Sequence, residues 1–260
     1  MIKYFDFLLE HKFWGKTIPQ FLSWLESKSK NHFAILDCES TGLPSDPYEV
    51  QLTQVACVIT KYNYTSNSFE EINSFNKKIK LTEKTIHLMD DPNNRINSVL
   101  SFNHYGEGNQ DYYGEENVLQ EFFEFINQYK KPILVIQNAS FDMRYLNTRN
   151  PIVKFNNEIL DTKQIIQLFY LPLLQKLAEN DTKYLDIINK IGTSSRDNGL
   201  ISSSMSKIGP ALNLDMNNYH DAISDVRITT EMLNKIVLFL KNHQNIDIKK
   251  YQFERIKTKR

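Results

Sequence analysis

The stretch from Phe33 to Leu43, Phe-Ala-Ile-Leu-Asp-Cys-Glu-Ser-Thr-Gly-Leu, constrains this chain more than any other. An apolar run that ends in two carboxylates one residue apart, then polar residues and a glycine, is predicted to be a buried strand leaving the core at Asp37. Side chains alternate along a strand, so Asp37 and Glu39 point to one face and Cys38 to the other. Two carboxylates about 4 Å apart repel by roughly 4 kcal/mol at an effective dielectric near ~20, so both stay ionised only with a cation between them. Hard oxygen ligands of this kind suit magnesium or manganese rather than zinc. The plain alternative is a pair of surface acids at a strand end.

The rest of the chain bounds what can surround that strand. With 260 residues, 41% of them hydrophobic, it fits one domain of generous size or a domain with extensions. Lys plus Arg equals Asp plus Glu at 31 each, so no global positive field announces a nucleic-acid partner, which would have to be met by a local patch. The two cysteines, Cys38 and Cys57, both fall in predicted strands, which leaves no disulfide framework and no repeated metal-ligand spacing. Lys3, Asp6, Glu10 and Lys12 break any signal-peptide core, and no uncharged stretch reaches membrane-spanning length. The expected setting is soluble and intracellular, cytoplasmic or nucleoid-associated.

Residues 1–32 read as a helical extension. Ile18, Phe21, Leu22 and Leu25 recur at helical spacing, and Thr17 with Gln20 can form a capping box with Pro19 in the first turn. Trp14 and Trp24 add apolar surface, so this helix must pack on its own domain or on a partner. Pro44 to Tyr48 is turn-like, Val50 to Thr60 is a buried strand and Phe69 to Leu81 a more polar one, together an antiparallel meander. Asp90 to Glu116, rich in Asn, Gly, Tyr and Asp, is expected to be a long surface excursion. Val118, Leu119, Phe122, Phe125 and Ile126 mark an amphipathic helix, Pro132 to Ile136 a strand and Ala139 to Leu146 a helix. Glu158 to Leu160 is a further short strand. Asp161 or Thr162 then caps a helix carrying Ile165, Ile166, Phe169 and Leu173, bent near Pro172. Gly192 to Ser206, Ser-rich and Gly-containing, is expected as a flexible loop or hinge. Ala222, Ile223, Val226, Thr229, Leu233, Ile236, Val237 and Leu240 form the apolar stripe of a last long helix. Residues 245–260 form a basic tail holding Lys249, Lys250, Arg255, Lys257, Lys259 and Arg260, either a solvated, frayed end or a phosphate or partner contact.

Two more acids sit where a metal site would want them. Asp142 lies in the first turns of a helix that begins where a strand ends, and Asp225 lies one turn into the long helix, with His220 just before it. Helix starts that follow strands place side chains at the sheet's carboxyl edge. Asp37-x-Glu39-Ser40-Thr41-Gly42, Asn138-x-x-Phe141-Asp142 and His220-x-Ala222-x-x-Asp225, in that order, resemble the three motifs of the DEDDh (DnaQ-like) 3′-to-5′ exonuclease family. The resemblance covers roughly Phe33 to Leu240. Histidine five residues before the last Asp separates this family from its tyrosine relatives, whose tyrosine would fall at Asp221. Two positions depart from the common pattern: Gln137 stands where many relatives have His, and Ser40 replaces a common Thr. The excursions at Asp90 to Glu116 and Gly192 to Ser206 are expected to shape the substrate groove.

The resemblance implies an α/β fold, a ribonuclease H-like mixed sheet flanked by helices, with the N-terminal extension at 1–32, an exonuclease domain at 33–244 and the basic tail at 245–260. It implies metal-dependent hydrolysis of phosphodiester bonds at the 3′ end of single-stranded DNA or RNA, releasing 5′-mononucleotides. Asp37, Glu39, Asp142 and Asp225 would hold two Mg2+ ions, with Mn2+ able to substitute, and two such ions about 3.5 to 4 Å apart serve both attacking and leaving oxygens. His220, with an unperturbed pKa near ~6.5, suits the role of base. His11, His32, His87, His104 and His243 read as structural or surface residues. Ser40, Thr41, Gly42 and Leu43 would meet the terminal nucleotide, the glycine by permitting close backbone approach. Phe141 would stack on a base or fill the core behind its helix; Asn138 would bond to sugar or phosphate or cap its own helix. Expected partners are single-stranded nucleic-acid 3′ ends and a polymerase or other replication or repair protein, with no membrane. A rival reading is a catalytically silent nucleic-acid- or polymerase-binding module with the same fold. A further one treats the acids as exposed helix caps.

Overall fold

The computed structural model describes residues 13–43, 46, 48–108, 110–149, 155–194 and 199–257. His11 and the rest of 1–12, most of the expected turn at 44–48, and 195–198 of the serine-rich loop lie outside the described residues, as do 258–260 of the tail. Among the described residues helix α1 (Ile18–Ser27) comes first, followed by strands β1 (His32–Ser40), β2 (Leu52–Asn63) and β3 (Ser68–Ile79). Both expected capping-box bonds form at α1, Gln20 N–H to Thr17 Oγ1 and Thr17 N–H to Gln20 Oε1, with Pro19 in the first turn.

The three strands form the predicted antiparallel meander, paired Phe33 to Thr60 and Val58 to Ser74. After β3 the chain builds helix α2 (Glu83–Met89), and the surface excursion expected from Asp90 to Glu116 carries helix α3 (Ile96–Phe102) and a short strand β4 (Tyr112–Tyr113). No apolar stripe announces α2 or α3, because few of their residues meet the core: Thr85 is buried in one, Ile96 and Leu100 in the other. Helix α4 (Glu115–Asn127), strand β5 (Ile133–Ile136), helix α5 (Ala139–Arg149) and strand β6 (Ile159–Asp161) follow. The sheet order is β4-β3-β2-β1-β5-β6, with β5 and β6 parallel to β1.

Beyond β6, helix α6 (Thr162–Ile165) passes through a π turn (Ile166–Tyr170) into α7 (Leu171–Ala178). Asp161 is the cap, accepting from the Lys163 N–H. The π turn ends just before Pro172, which lacks an N–H, and marks the expected irregularity. Helices α8 (Thr182–Ile191) and α9 (Met205–Ala211) come next, neither anticipated, and then the long α10 (Ala222–Asn242). The expected loop from Gly192 is structured at both ends. Thr193 bridges to Ile201, Ser202 and Ser203 are buried, and Met205 already opens α9.

Strand alternation divides the core in two. Phe33, Ile35, Ala56 and Val58 face α1, the π segment, α7 and α10, while Ala34, Leu36, Cys38, Val55 and Cys57 face α4 and α5. Helix α1 packs on its own domain: Ile18, Phe21, Leu22 and Leu25 are buried, and the Phe21 ring stacks on Phe169 at 5.0 Å. Each such side chain contributes about 1.5–3 kcal/mol on burial. The basic segment expected as a frayed tail instead carries α11 (Lys249–Lys257). Ile248 and Gln252 are buried there, and Gln252 Nε2 donates to the carbonyls of Lys16 (3.1 Å) and Leu168 (2.7 Å). Those two apolar and amide anchors outweigh the charge pattern from which fraying was expected. Among the described residues no helix is long and apolar enough to cross a membrane.

Candidate active site

Asp37 and Glu39 follow Phe33 and Ile35 onto the face covered by α10, and Glu39 is only 9% exposed. The strand runs three residues past the expected exit at Asp37 and ends at Ser40, where the pairing with β2 shifts register. That irregularity turns the chain outward and frees the sheet edge beside the acids. The turn is braced from within. Thr41 N–H donates to the Gln51 carbonyl, and Thr41 Oγ1 accepts from Gln51 N–H, both at 2.9 Å. Thr41 itself is fully buried, with its hydroxyl accepting from Gln51 N–H. Ser40 Oγ donates to the Gly42 carbonyl at 2.7 Å, and Tyr145 donates to the same carbonyl at 3.2 Å. Gly42 is required for space: a Cβ there would collide with the Asp46 carboxylate and the Tyr48 hydroxyl.

The second acidic element starts where β5 ends. Asn138 adopts φ 68°, a left-handed conformation that asparagine tolerates better than most residues, and so turns the chain sharply into α5. Asp161 fixes this turn, its carboxylate accepting from the N–H groups of Asn138 and Ala139 at 3.2 Å each. Asn138 Oδ1 accepts from Lys163 Nζ at 3.1 Å. One turn into α5, Asp142 is 1% exposed and accepts the Cys38 N–H at 2.9 Å, from the residue between Asp37 and Glu39.

The third element is the entry to α10. Asp221 caps the helix, accepting from the N–H and hydroxyl of Ser224. His220 sits just before it at φ 73°, a conformation costing about 1–3 kcal/mol for a non-glycine residue and held only where the surroundings determine it. Its N–H donates to Asp225 Oδ1 at 3.2 Å, and its ring contacts those of Tyr219 (3.8 Å) and Phe102 (3.9 Å). Ligand atoms of Glu39, His220 and Asp225 all lie within 4.8 Å of one another.

Burial and mutual repulsion make this cluster hold protons. Desolvation, then the charges of Asp142 and Asp221, raise Asp37 well above the usual carboxylate range; Glu39 is raised by burial and by Asp37, Asp225 and Asp142. Asp225 is pushed up to about 9 by burial and by Asp37, against the His220 N–H that lowers it. Burial raises Asp142 to about 8 although the Cys38 N–H opposes the shift. Among the described residues none of these four acids is paired with Lys or Arg. His220 is lowered to about 4 by burial and by His104, so its imidazole is neutral across the neutral range.

Three of the four acids open into one groove. Asp37, Glu39, Ser40, Gly42, Leu43, Asn138, Phe141, His220 and Asp225 line it, while Asp142 and Thr41 sit behind its wall. Phe141 packs at the edge of the core and also lines the groove. Both excursions contribute: Phe102 and Asn103 from α3, and Ser202, Ser203 and Ser204 before α9. Asn103 Nδ2 donates to the Ser40 carbonyl at 3.1 Å. Gln137 accepts from the Thr162 hydroxyl and donates to the Ser203 carbonyl at 3.3 Å, so it ties the serine segment to β5. Arg95, Lys163 and Lys207 supply the local positive charge that the neutral total conceals. Sequence reasoning missed Phe102, Asn103 and Lys207, whose positions follow from helices without a periodic signature, and Lys163, on the helix it placed after Asp161. It also missed Gln54 and Lys78. Polar residues inside a strand run were the one available signal for those two.

A six-stranded mixed sheet with helices on both faces, bearing acids at the carboxyl ends of β1 and β5 and at a helix entry, is a ribonuclease H-like α/β fold. An exonuclease family model (RNase_T) matches residues 34–233, and the chain belongs to that family, the DnaQ-like DEDDh exonucleases. A search of curated proteins finds no match. Among solved structures, E. coli Exonuclease I bound to a dT13 oligonucleotide is similar at TM-score 0.55 and 16% identity, over 82% of this chain and 42% of that one. The zinc-bound form of the E. coli enzyme's complex with single-stranded DNA gives TM-score 0.54 and 16% identity, over 86% and 43%. The chain thus spans less than half the length of these neighbours, and at such identity the likeness is one of fold.

Proposed function

We propose that this chain is a metal-dependent 3′-to-5′ exonuclease acting on the ends of single-stranded DNA or RNA and releasing 5′-mononucleotides. The observation that carries the reading is the meeting of Glu39, His220 and Asp225 within 4.8 Å, with Asp37 and Asp142 close enough to raise the pKa values around them. Buried acids that lack a Lys or Arg partner among the described residues, all of them hard oxygen donors, fit divalent cations of the Mg2+ or Mn2+ kind. Asp37, Glu39, Asp142 and Asp225 are the proposed ligands. When bound, such ions supply Lewis-acid stabilisation of the charge that develops on phosphate and leaving oxygen.

The remaining work falls to side chains. His220, neutral and half-buried, would take a proton from the attacking water at a ring nitrogen. Asp225 holds the His220 backbone and so sets where that ring stands. Arg95, Lys163 and Lys207 would answer backbone phosphates, which bind any sequence. Leu43, 40% exposed, and Phe141 would offer apolar surface to the terminal base, with Ser40 and Gly42 beside them in the groove lining.

The test is digestion of a 5′-labelled oligonucleotide with Mg2+, beginning with single-stranded DNA and a matched RNA. Stepwise 3′ shortening that is lost in Asp142→Ala is the expected result. No shortening over a broad range of conditions, or equal shortening by that variant, overturns the reading. Binding of the oligonucleotide without cleavage would favour the silent module instead.

A further inference from the structure

Strand β3 carries one buried ammonium group, that of Lys78, 5% exposed and directly opposite Gln54 in the β2–β3 register. Its Nζ donates to the His104 carbonyl at 3.2 Å and stands 3.9 Å from Asp221 Oδ1. Those two partners flank His220 on both sides. Asp221 follows it directly in the chain, and His104 lies two residues after Phe102, whose ring rests on the imidazole at 3.9 Å. Gln54 joins the same network: its Nε2 donates to Asp221 Oδ1 at 3.0 Å, and its Oε1 accepts from the Ala222 N–H at 3.2 Å.

We propose that Lys78 is a positioning residue of the active site, tying the end of α3 to the start of α10 so that His220 is held between them, facing Glu39 and Asp225. The inference deepens the nuclease reading and rests on it for its kinetic consequence. Lys78 touches neither the groove nor the acids and acts through its two partners. Its positive charge matches Asp221, an acid beside the cluster that is not among the proposed ligands. The left-handed backbone at His220 is a conformation that persists only when neighbours fix it, and Lys78 anchors segments on each side. Nothing in the periodicity of β3 requires a lysine here, since an apolar residue would fill the same interior position.

The experiment compares Lys78→Met and Lys78→Met/Asp221→Asn with the wild-type chain. The double variant removes both charges together and leaves neither buried alone, so it keeps the test open if the single variant does not fold. The expected result is a fall in kcat of about 10- to 100-fold, the range found for residues that orient catalytic groups, with KM within about twofold. Combined with His220→Ala, Lys78→Met should cost at least about tenfold less than it does alone, because the residue it positions is already gone. In parallel, the imidazole NMR signals of His220, displaced by the Phe102 and Tyr219 rings, should move in the double variant while those of His32 and His243 stay. An active double variant with wild-type kcat and unmoved His220 signals overturns the proposal. So does a loss that simply multiplies with that of His220→Ala. Were the wild-type chain to digest nothing, the nuclease reading would fall, and the His220 signals alone would decide for or against Lys78.

Discussion

The Cys38 N–H donates to the Asp142 carboxylate at 2.9 Å, a bond between residues 104 apart in the chain. It fixes the distance between α5 and β1 at the residue between Asp37 and Glu39. Replacing Asp142 by Asn keeps an acceptor for that bond and removes only the charge. Asp142→Asn should therefore fold with a melting temperature at or above wild type in EDTA, yet lose more than about 100-fold of nuclease activity, beyond the cost of disturbing an outer partner of a ligand. Circular dichroism melts alongside digestion of a labelled oligonucleotide check both halves.

The same cluster makes a signed prediction for pH. Asp142 and Asp225 titrate near 3.8 when exposed, and in the folded chain at about 8 and about 9. A raised carboxyl pKa means the folded state keeps protons that the unfolded state has released, so stability declines as pH rises between those values. Metal-free protein should melt at least about 5 °C lower at pH 8.5 than at pH 5, a change of order 1–2 kcal/mol for a chain of this size. Mg2+ or Mn2+ should recover most of the loss at pH 8.5 and little at pH 5. Melts across that range, with and without the ion, would refute this if the EDTA curve stayed flat.

His220→Ala should leave metal-induced stabilisation in place, because the four acids remain, while lowering kcat by about 10²- to 10⁴-fold, the usual worth of a general base. Differential scanning fluorimetry with Mn2+ and single-turnover digestion separate the two effects. A variant that lost the stabilisation as well would make the imidazole a ligand rather than a base.

Lys163 and Lys207 line the groove from different elements, one after β6 and one in α9. If each meets one phosphate, Lys207→Ala and Lys163→Ala should each flatten the plot of log affinity for single-stranded oligonucleotide against log salt by about 0.7. Lys163→Ala should in addition loosen Asn138, its 3.1 Å partner, and show a larger loss at low salt. Fluorescence anisotropy titrations in EDTA at several salt concentrations measure both slopes.

Gln252 bridges the N-terminal turn and the π segment through two carbonyls. Gln252→Ala should destabilise the chain by about 1–3 kcal/mol, the loss of two hydrogen bonds worth about 0.5–1.5 kcal/mol each, with nuclease activity unchanged well below the melting temperature. Urea denaturation monitored by tryptophan fluorescence tests the first expectation, and oligonucleotide digestion the second.

What the sequence determined by itself was whatever repeats along the chain or follows a fixed spacing. The alternation after Phe33 put Asp37 and Glu39 on one face, the Thr17–Gln20 pair marked the start of α1, and the stripe from Ala222 to Leu240 drew α10. Motif order then brought Asp142, His220 and Asp225 into view. Tertiary structure alone decided which surfaces meet. Helices α2 and α3 bury only a residue or two each, too few to leave a period, yet α3 carries Phe102 and Asn103 to the site. Gln252 turned an expected frayed end into a packed helix, and Lys78 reached His104 and Asp221 through the interior. Those contacts join residues distant in the chain, and a one-dimensional pattern records the local preference of each partner but not the distance between them.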